Sequence, residues 1–224
     1  MLTTGLREAP NELPLPHVAD ETLGDLRFRQ LLPKEEWDAL PLAVRRRFTK
    51  RLAGGKTAVY IGEVVETQLT RVGRIWGFLA RLIGGPLPTS RDEHVPSVVT
   101  VTEDFVTGAQ MWTRLYARRS GFPQVIRSSK QFMGATGLEE HVGRGVGMAL
   151  KVSVENAALT FRSSGYFLKL ARWRAAIPRW LTPGAMTIAH RETGDGHFTF
   201  TLDVVHPLFG TIIHQVAAFK EARS

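Results

Sequence analysis

From residue 98 onward the chain is a succession of short segments rich in β-branched and aromatic residues, set about ten residues apart and joined mostly by short links. Segments 98–102, 110–118, 124–133, 146–154, 157–163, 166–170, 185–192, 197–205 and 211–219 each read as a strand, and 192–197 (ETGDGH) is a hairpin signal. Links this short join antiparallel neighbours. A meander of about eight to ten strands leaves two unpaired edges unless it curls on itself, so the pattern predicts a mainly β, antiparallel, lipocalin-like barrel, closed or half-open. Barrels of this size can leave an interior that holds a ligand.

The segments before this meander have other periods. Residues 1–22 carry no apolar periodicity and read as an extended lead-in. Residues 23–55 read as a helical arm, with Leu23, Leu26, Phe28, Leu31 and Leu32 at near-helical spacing. Pro33 with Glu35 and Glu36 marks a helix start. Trp37, Leu40, Leu42, Val44 and Phe48 then supply an apolar stripe, Arg45 to Arg47 with Lys50 and Arg51 a basic end, and Gly54-Gly55 a stop. The barrel domain spans 56–224, opening with a strand over 57–65.

Within that domain, 67–83 (TQLTRVGRIWGFLARLI) predicts an amphipathic helix. Leu69, Val72, Ile75, Trp76, Leu79, Leu82 and Ile83 share its apolar face, with Arg71, Arg74 and Arg81 at the edges. Gly73 and Gly77 weaken it by about 1 kcal/mol each relative to alanine, so it needs a surface to lie on. The protein's own core, the mouth of the barrel and a lipid interface all qualify. A proline- and glycine-rich loop over 84–96 follows.

Composition narrows the setting. Cysteine is absent, which excludes disulfides and thiolate chemistry and agrees with a reducing cytoplasm. No apolar run has the character of a signal peptide or a spanning helix, so a cytoplasmic protein is expected, free or peripheral at the inner membrane. A formal net charge of +8 favours an anionic partner, the candidates being nucleic acid and an anionic membrane surface, unless it simply maintains solubility. The stretch 162–179 interleaves cations with Tyr166, Phe167 and Trp173, but no nucleic-acid signature accompanies it, and nucleic acid is not the expected partner.

Chemistry concentrates on 110–118. On a strand, Trp112, Arg114 and Tyr116 share one face while Met111, Thr113, Leu115 and Ala117 share the other. A guanidinium between two aromatics suits a cavity wall holding a mostly apolar ligand with one anionic or carbonyl group; the same face turned to water is an ordinary stacked arginine. Trp112, Arg114, Tyr116 and Ser128 are the ligand-binding candidates, with Trp76 closing the entrance. Glu140, Asp203 and His214 are the candidate acids or bases. Glu140 or Asp203 either balances Arg114, acts as a base with its pKa raised by burial, or stands as a solvated charge.

Other chemistries find no support. The glycines of 143–147 lack a strand-then-helix context and read as a turn or bulge. His190, His197, His206 and His214 lack metal-ligand spacing, so no metal site is expected. No nucleophile elbow is present, and no cofactor is expected.

The short motifs together resemble an uncharacterised bacterial family, a domain of unknown function that occurs alone or fused behind a saccharopine-dehydrogenase-like nucleotide-binding domain. The matching residues are Gly84-Gly85-Pro86-Leu87-Pro88, Val95-Pro96, Trp112-Thr113-Arg114, Ile126-Arg127-Ser128 and Glu140-His141-Val142-Gly143. Those of 177–183, Gly196 to Phe200 with Asp203, and Pro207-Leu208-Phe209-Gly210 complete the set. The chain departs from the family's pattern at His141-Val142, where Arg-Phe is usual, and near His214, where a tyrosine belongs. The resemblance implies work on a small or lipid-like metabolite and carries over no catalytic residue. The reading is therefore binding of an apolar or amphipathic small molecule in a barrel cavity. An isomerase- or cyclase-type enzyme using the same cavity and a peripheral protein on anionic lipid are the alternatives.

Overall fold

The computed structural model describes residues 24–222; the lead-in expected over 1–22, and Leu23, lie outside them. A 3-10 turn at Arg29–Leu31 precedes two short helices, α1 (Lys34–Ala39) and α2 (Leu42–Phe48). The single stripe read over 37–48 is thus broken, because Leu40 before Pro41 is extended (ψ 143°) and proline starts a new helix.

Eleven strands follow: β1 (Ala58–Leu69), β2 (Val95–Glu103), β3 (Gln110–Tyr116), β4 (Gln124–Gln131), β5 (Glu139–Gly143), β6 (Val146–Glu155), β7 (Ala158–Leu170), β8 (Trp173–Ile177), β9 (Ala185–Gly194), β10 (His197–His206) and β11 (Gly210–Glu221). Successive antiparallel pairing runs from β1 to β7. There β8 turns aside as a hairpin, and β9 takes its place against β7, so that β9, β10 and β11 lead back to β1. The ring is a closed antiparallel barrel of ten strands, lipocalin-like as the spacing predicts. The hairpin read at 192–197 forms with Asp195 and Gly196 both at positive φ (52° and 74°), the backbone a tight two-residue turn requires.

Two strands escape the sequence reading. β5 is short and holds Glu139, Glu140 and His141, charges that mask its alternation. β8 is exposed along most of its length and has no buried face to reveal it. The segments read separately as 157–163 and 166–170 are one strand, β7, whose Ser163-Ser164-Gly165 is absorbed as a register shift opposite Ala149 and Leu150.

The N-terminal arm closes one end. Phe28, fully buried, meets Phe132 (4.9 Å) and Phe48 (5.1 Å) edge-on. Arg27 ties the arm to the β2–β3 turn through Glu103 (2.8 Å) and the Gly108 carbonyl (2.5 Å), and Arg47 pairs with Glu192 at 2.6 Å.

At the other end β1 passes into the helix α3 (Arg71–Ala80). Residues 67–69, expected to be helical, remain in the sheet, with Gln68 opposite His214 and Leu69 opposite Ile213. Thr70 makes the change: its hydroxyl accepts from the Gly73 amide (3.1 Å) and donates to the Ile212 carbonyl (3.2 Å). The helix then divides the expected apolar face, with Val72 and Trp76 half-buried against the core. Gly73, Gly77 and Ala80 form its buried face, so close to the barrel that a Cβ on Gly73 would stand 2.2 Å from the Ile212 carbonyl oxygen. The glycines are what let the backbone approach, and Ile75, Phe78, Leu79 and Leu82 are left exposed.

Candidate functional site

Side-chain alternation on β3, β4 and β5 sends Trp112, Arg114, Tyr116, Ile126, Ser128, Lys130, Glu140 and Val142 toward the barrel axis, where all line one cavity. Register brings the polar ones together, since Trp112 pairs with Ser128 and Lys130 with Glu140. Glu140 Oε1 lies 3.1 Å from Lys130 Nζ and 3.6 Å from Arg114 Nη2, and Arg114 Nη1 donates to Ser128 Oγ at 3.1 Å. Both cations also stand against the Trp112 ring, the Lys130 ammonium at 4.9 Å and the Arg114 guanidinium at 5.5 Å from its centre. Met148, Phe161, Ile188, Phe200, Leu202 and Phe219 supply apolar wall from the remaining strands.

The electrostatics are those of a charge cluster taken out of water. Burial by itself would raise the Glu140 pKa, but Lys130, Arg114 and the Ser128 hydroxyl outweigh it and hold the carboxyl down at about 2. A base with a raised pKa, one of the roles left open for this position, is therefore not formed. Burial depresses the Lys130 pKa, Arg114 adds to the effect and Glu140 opposes it. Tyr116 is raised by burial. Two buried polar atoms of residues in this wall, Trp112 Nε1 and Glu140 Oε2, have no hydrogen-bond partner among the described residues.

The inner cavity is about 70 Å³. Beside it, under α3, lies a second, almost wholly apolar hollow of about 270 Å³ lined by Trp76, Leu79, Leu82, Tyr166, Ile177 and Leu181 among others. Pro86, Val142, Met148 and Met186 face both and form the partition. Trp76, expected at the entrance, stands on this outer hollow, its ring 6.5 Å from that of His206.

Asp203 and His214 are not brought to the cavity. They are cross-strand partners on the outer face of β10 and β11, joined at 2.7 Å, with Glu66 3.9 Å from the other imidazole nitrogen. Alternation decides this, since Leu202 and Gln215 beside them are the inward residues. Among the described residues no three His, Asp or Glu side chains converge as a metal site. His190 is buried against Phe198 and Phe200 and accepts from Arg47 through Nε2 (3.2 Å); burial first and Arg47 second hold its pKa down at about 3.

Lys130 is the site residue sequence reading missed. Its signal was present, because period two places Ile126, Ser128, Lys130 and Phe132 on one face, but lysine is ordinarily read as a solvent-facing residue.

No helix among the described residues is long and apolar enough to cross a membrane. No curated protein and no solved structure matches the chain. The family model described as Domain of unknown function (DUF4166) matches residues 40–219, which holds the whole barrel ring but for the last two residues of β11, and every cavity residue named above, so the chain belongs to the DUF4166 family.

Proposed function

We propose that the barrel binds an amphipathic small molecule whose anionic end is held at Arg114 and Lys130 and whose apolar part occupies the hollow under α3. The observation that carries this is the buried cluster of two basic side chains against a single carboxylate, in a cavity otherwise walled by hydrocarbon. A second negative charge would balance it, and the low dielectric of the interior makes that pairing far stronger than in water.

Size supports the amphipathic part of the reading. Neither space alone reaches the roughly 300 Å³ at which small-molecule sites begin, so any ligand beyond a few atoms must extend across the partition. Met148 and Met186, unbranched and flexible, are suited to swing aside.

Acid or base catalysis finds less support: Glu140 is held as a carboxylate with little basicity, and Asp203 and His214 face outward.

Dodecanoate and dodecanol, titrated calorimetrically into the purified protein with native mass spectrometry of what it already carries, test the proposal. The acid is expected to bind roughly tenfold or more tightly than the alcohol, a preference lost in Arg114→Ala. Equal affinities for acid and alcohol, or binding of neither by a protein that also carries nothing, would overturn it.

A further inference from the structure

The end of the barrel that carries α3 exposes a set of large apolar side chains that come from separate links. Antiparallel alternation places there α3, the β7–β8 turn, the 178–184 segment and the β10–β11 turn. From these project Ile75 (59% exposed), Leu82 (67%), Trp173 (71%), Trp180 (72%) and Leu208 (81%). The glycine face of α3 is spent on the barrel, so Ile75, Phe78 and Leu79 on its outer side are left half or more exposed. Patches of this kind mark a binding surface.

The links that carry these side chains hold charge of one sign. Residues 67–91 contain Arg71, Arg74, Arg81 and Arg91 and no acid, and residues 169–184 contain Lys169, Arg172, Arg174 and Arg179 and no acid, while the acids nearby, Asp92 and Glu93, accept from the Arg119 and Thr67 amides. Tryptophans beside arginines at the rim of an apolar surface suit the boundary between lipid headgroups and acyl chains, where ring and guanidinium are each partly solvated. The barrel wall itself is unsuited to lipid, since its outward residues include the exposed Arg127, Lys151 and Arg162.

We propose that this end docks on an anionic bilayer, inserting the outer face of α3 and the Trp180 and Leu208 links to headgroup depth, with the barrel axis pointing at the membrane. The hollow under α3 then opens at the lipid boundary. The docking does not depend on what the cavity holds.

Sedimentation of the full chain with vesicles tests it. Binding is expected to phosphatidylcholine mixed with phosphatidylglycerol and not to phosphatidylcholine alone, and to weaken with added salt. Arg74→Glu with Arg81→Glu, at exposed positions, is expected to lower the apparent affinity roughly tenfold or more, each basic residue near such a surface contributing about 1 kcal/mol. Phe78→Ser with Leu82→Ser is expected to abolish binding. Phospholipids brominated near the headgroup are expected to quench tryptophan emission in wild type and markedly less in Trp173→Phe/Trp180→Phe. No sedimentation with anionic vesicles, quenching indifferent to those two tryptophans, or a dimer that Leu82→Ser splits while vesicle binding stays absent, would overturn the proposal, the last assigning the surface to a second copy of the chain.

Discussion

Lys130 and Glu140 sit opposite each other on β4 and β5 with 3.1 Å between Nζ and Oε1, both side chains all but sealed from solvent. Removing one member leaves the other charge buried without its partner, which costs more than the pair contributes. Glu140→Gln is expected to destabilise the fold by about 3–5 kcal/mol in urea unfolding. The double variant Lys130→Met/Glu140→Leu is expected to lose much less than the two single variants together. Additive losses would show that the pair is uncoupled.

The acid limb of stability is carried chiefly by two groups, with His141, whose pKa burial also lowers, adding to the second. Glu140 titrates at about 2 in the folded chain against an ordinary 4.5, so the unfolded chain takes up the proton first and stability is lost as pH falls from 4.5 toward 2. His190 is held neutral with its pKa at about 3 against 6.5, so its share is complete above 6.5 and lost as pH falls from there toward 3. Unfolding free energy is therefore expected to decline already from pH 6.5, and His190→Gln to flatten the limb between 6.5 and 4.5. A plateau in wild type down to 4.5 would contradict the burial of His190.

Ligand binding is expected to take up protons. A bound anion offsets the burial that depresses Lys130, raising its pKa in the complex, so affinity for dodecanoate falls as pH rises past the pKa of Lys130 in the free protein. Lys130→Met is expected to remove that dependence while the acid still binds at Arg114. Calorimetry in buffers of different ionisation enthalpy reads the uptake directly.

Gly73→Ala should raise the helical propensity of α3 by about 1 kcal/mol, yet it is expected to destabilise the protein, by about 1–3 kcal/mol, because the added methyl meets a backbone carbonyl. Thermal unfolding measures the sign, and stabilisation would mean that α3 stands off the barrel.

Asp203→Asn and His214→Gln are expected to leave dodecanoate affinity unchanged, since the pair faces outward. A loss comparable to that in Arg114→Ala would return them to the cavity.

The sequence by itself determined the barrel and the inward face of β3. Period-two alternation and short links are local properties, and once enough strands must hide their edges, antiparallel closure is the available solution. Trp112, Arg114 and Tyr116 could be grouped from 110–118 alone, because successive strand residues point to opposite sides whatever surrounds them. The tertiary structure decided which face of each strand became interior, and so separated Glu140, drawn in beside Arg114, from Asp203 and His214, left outside by the same alternation on other strands. It also decided the fate of Lys130 and of α3. A lysine becomes a buried group only when a register opposes it to a carboxylate, and a glycine becomes a contact surface only when a carbonyl waits within reach; both depend on residues far away in the chain, which no local period encodes.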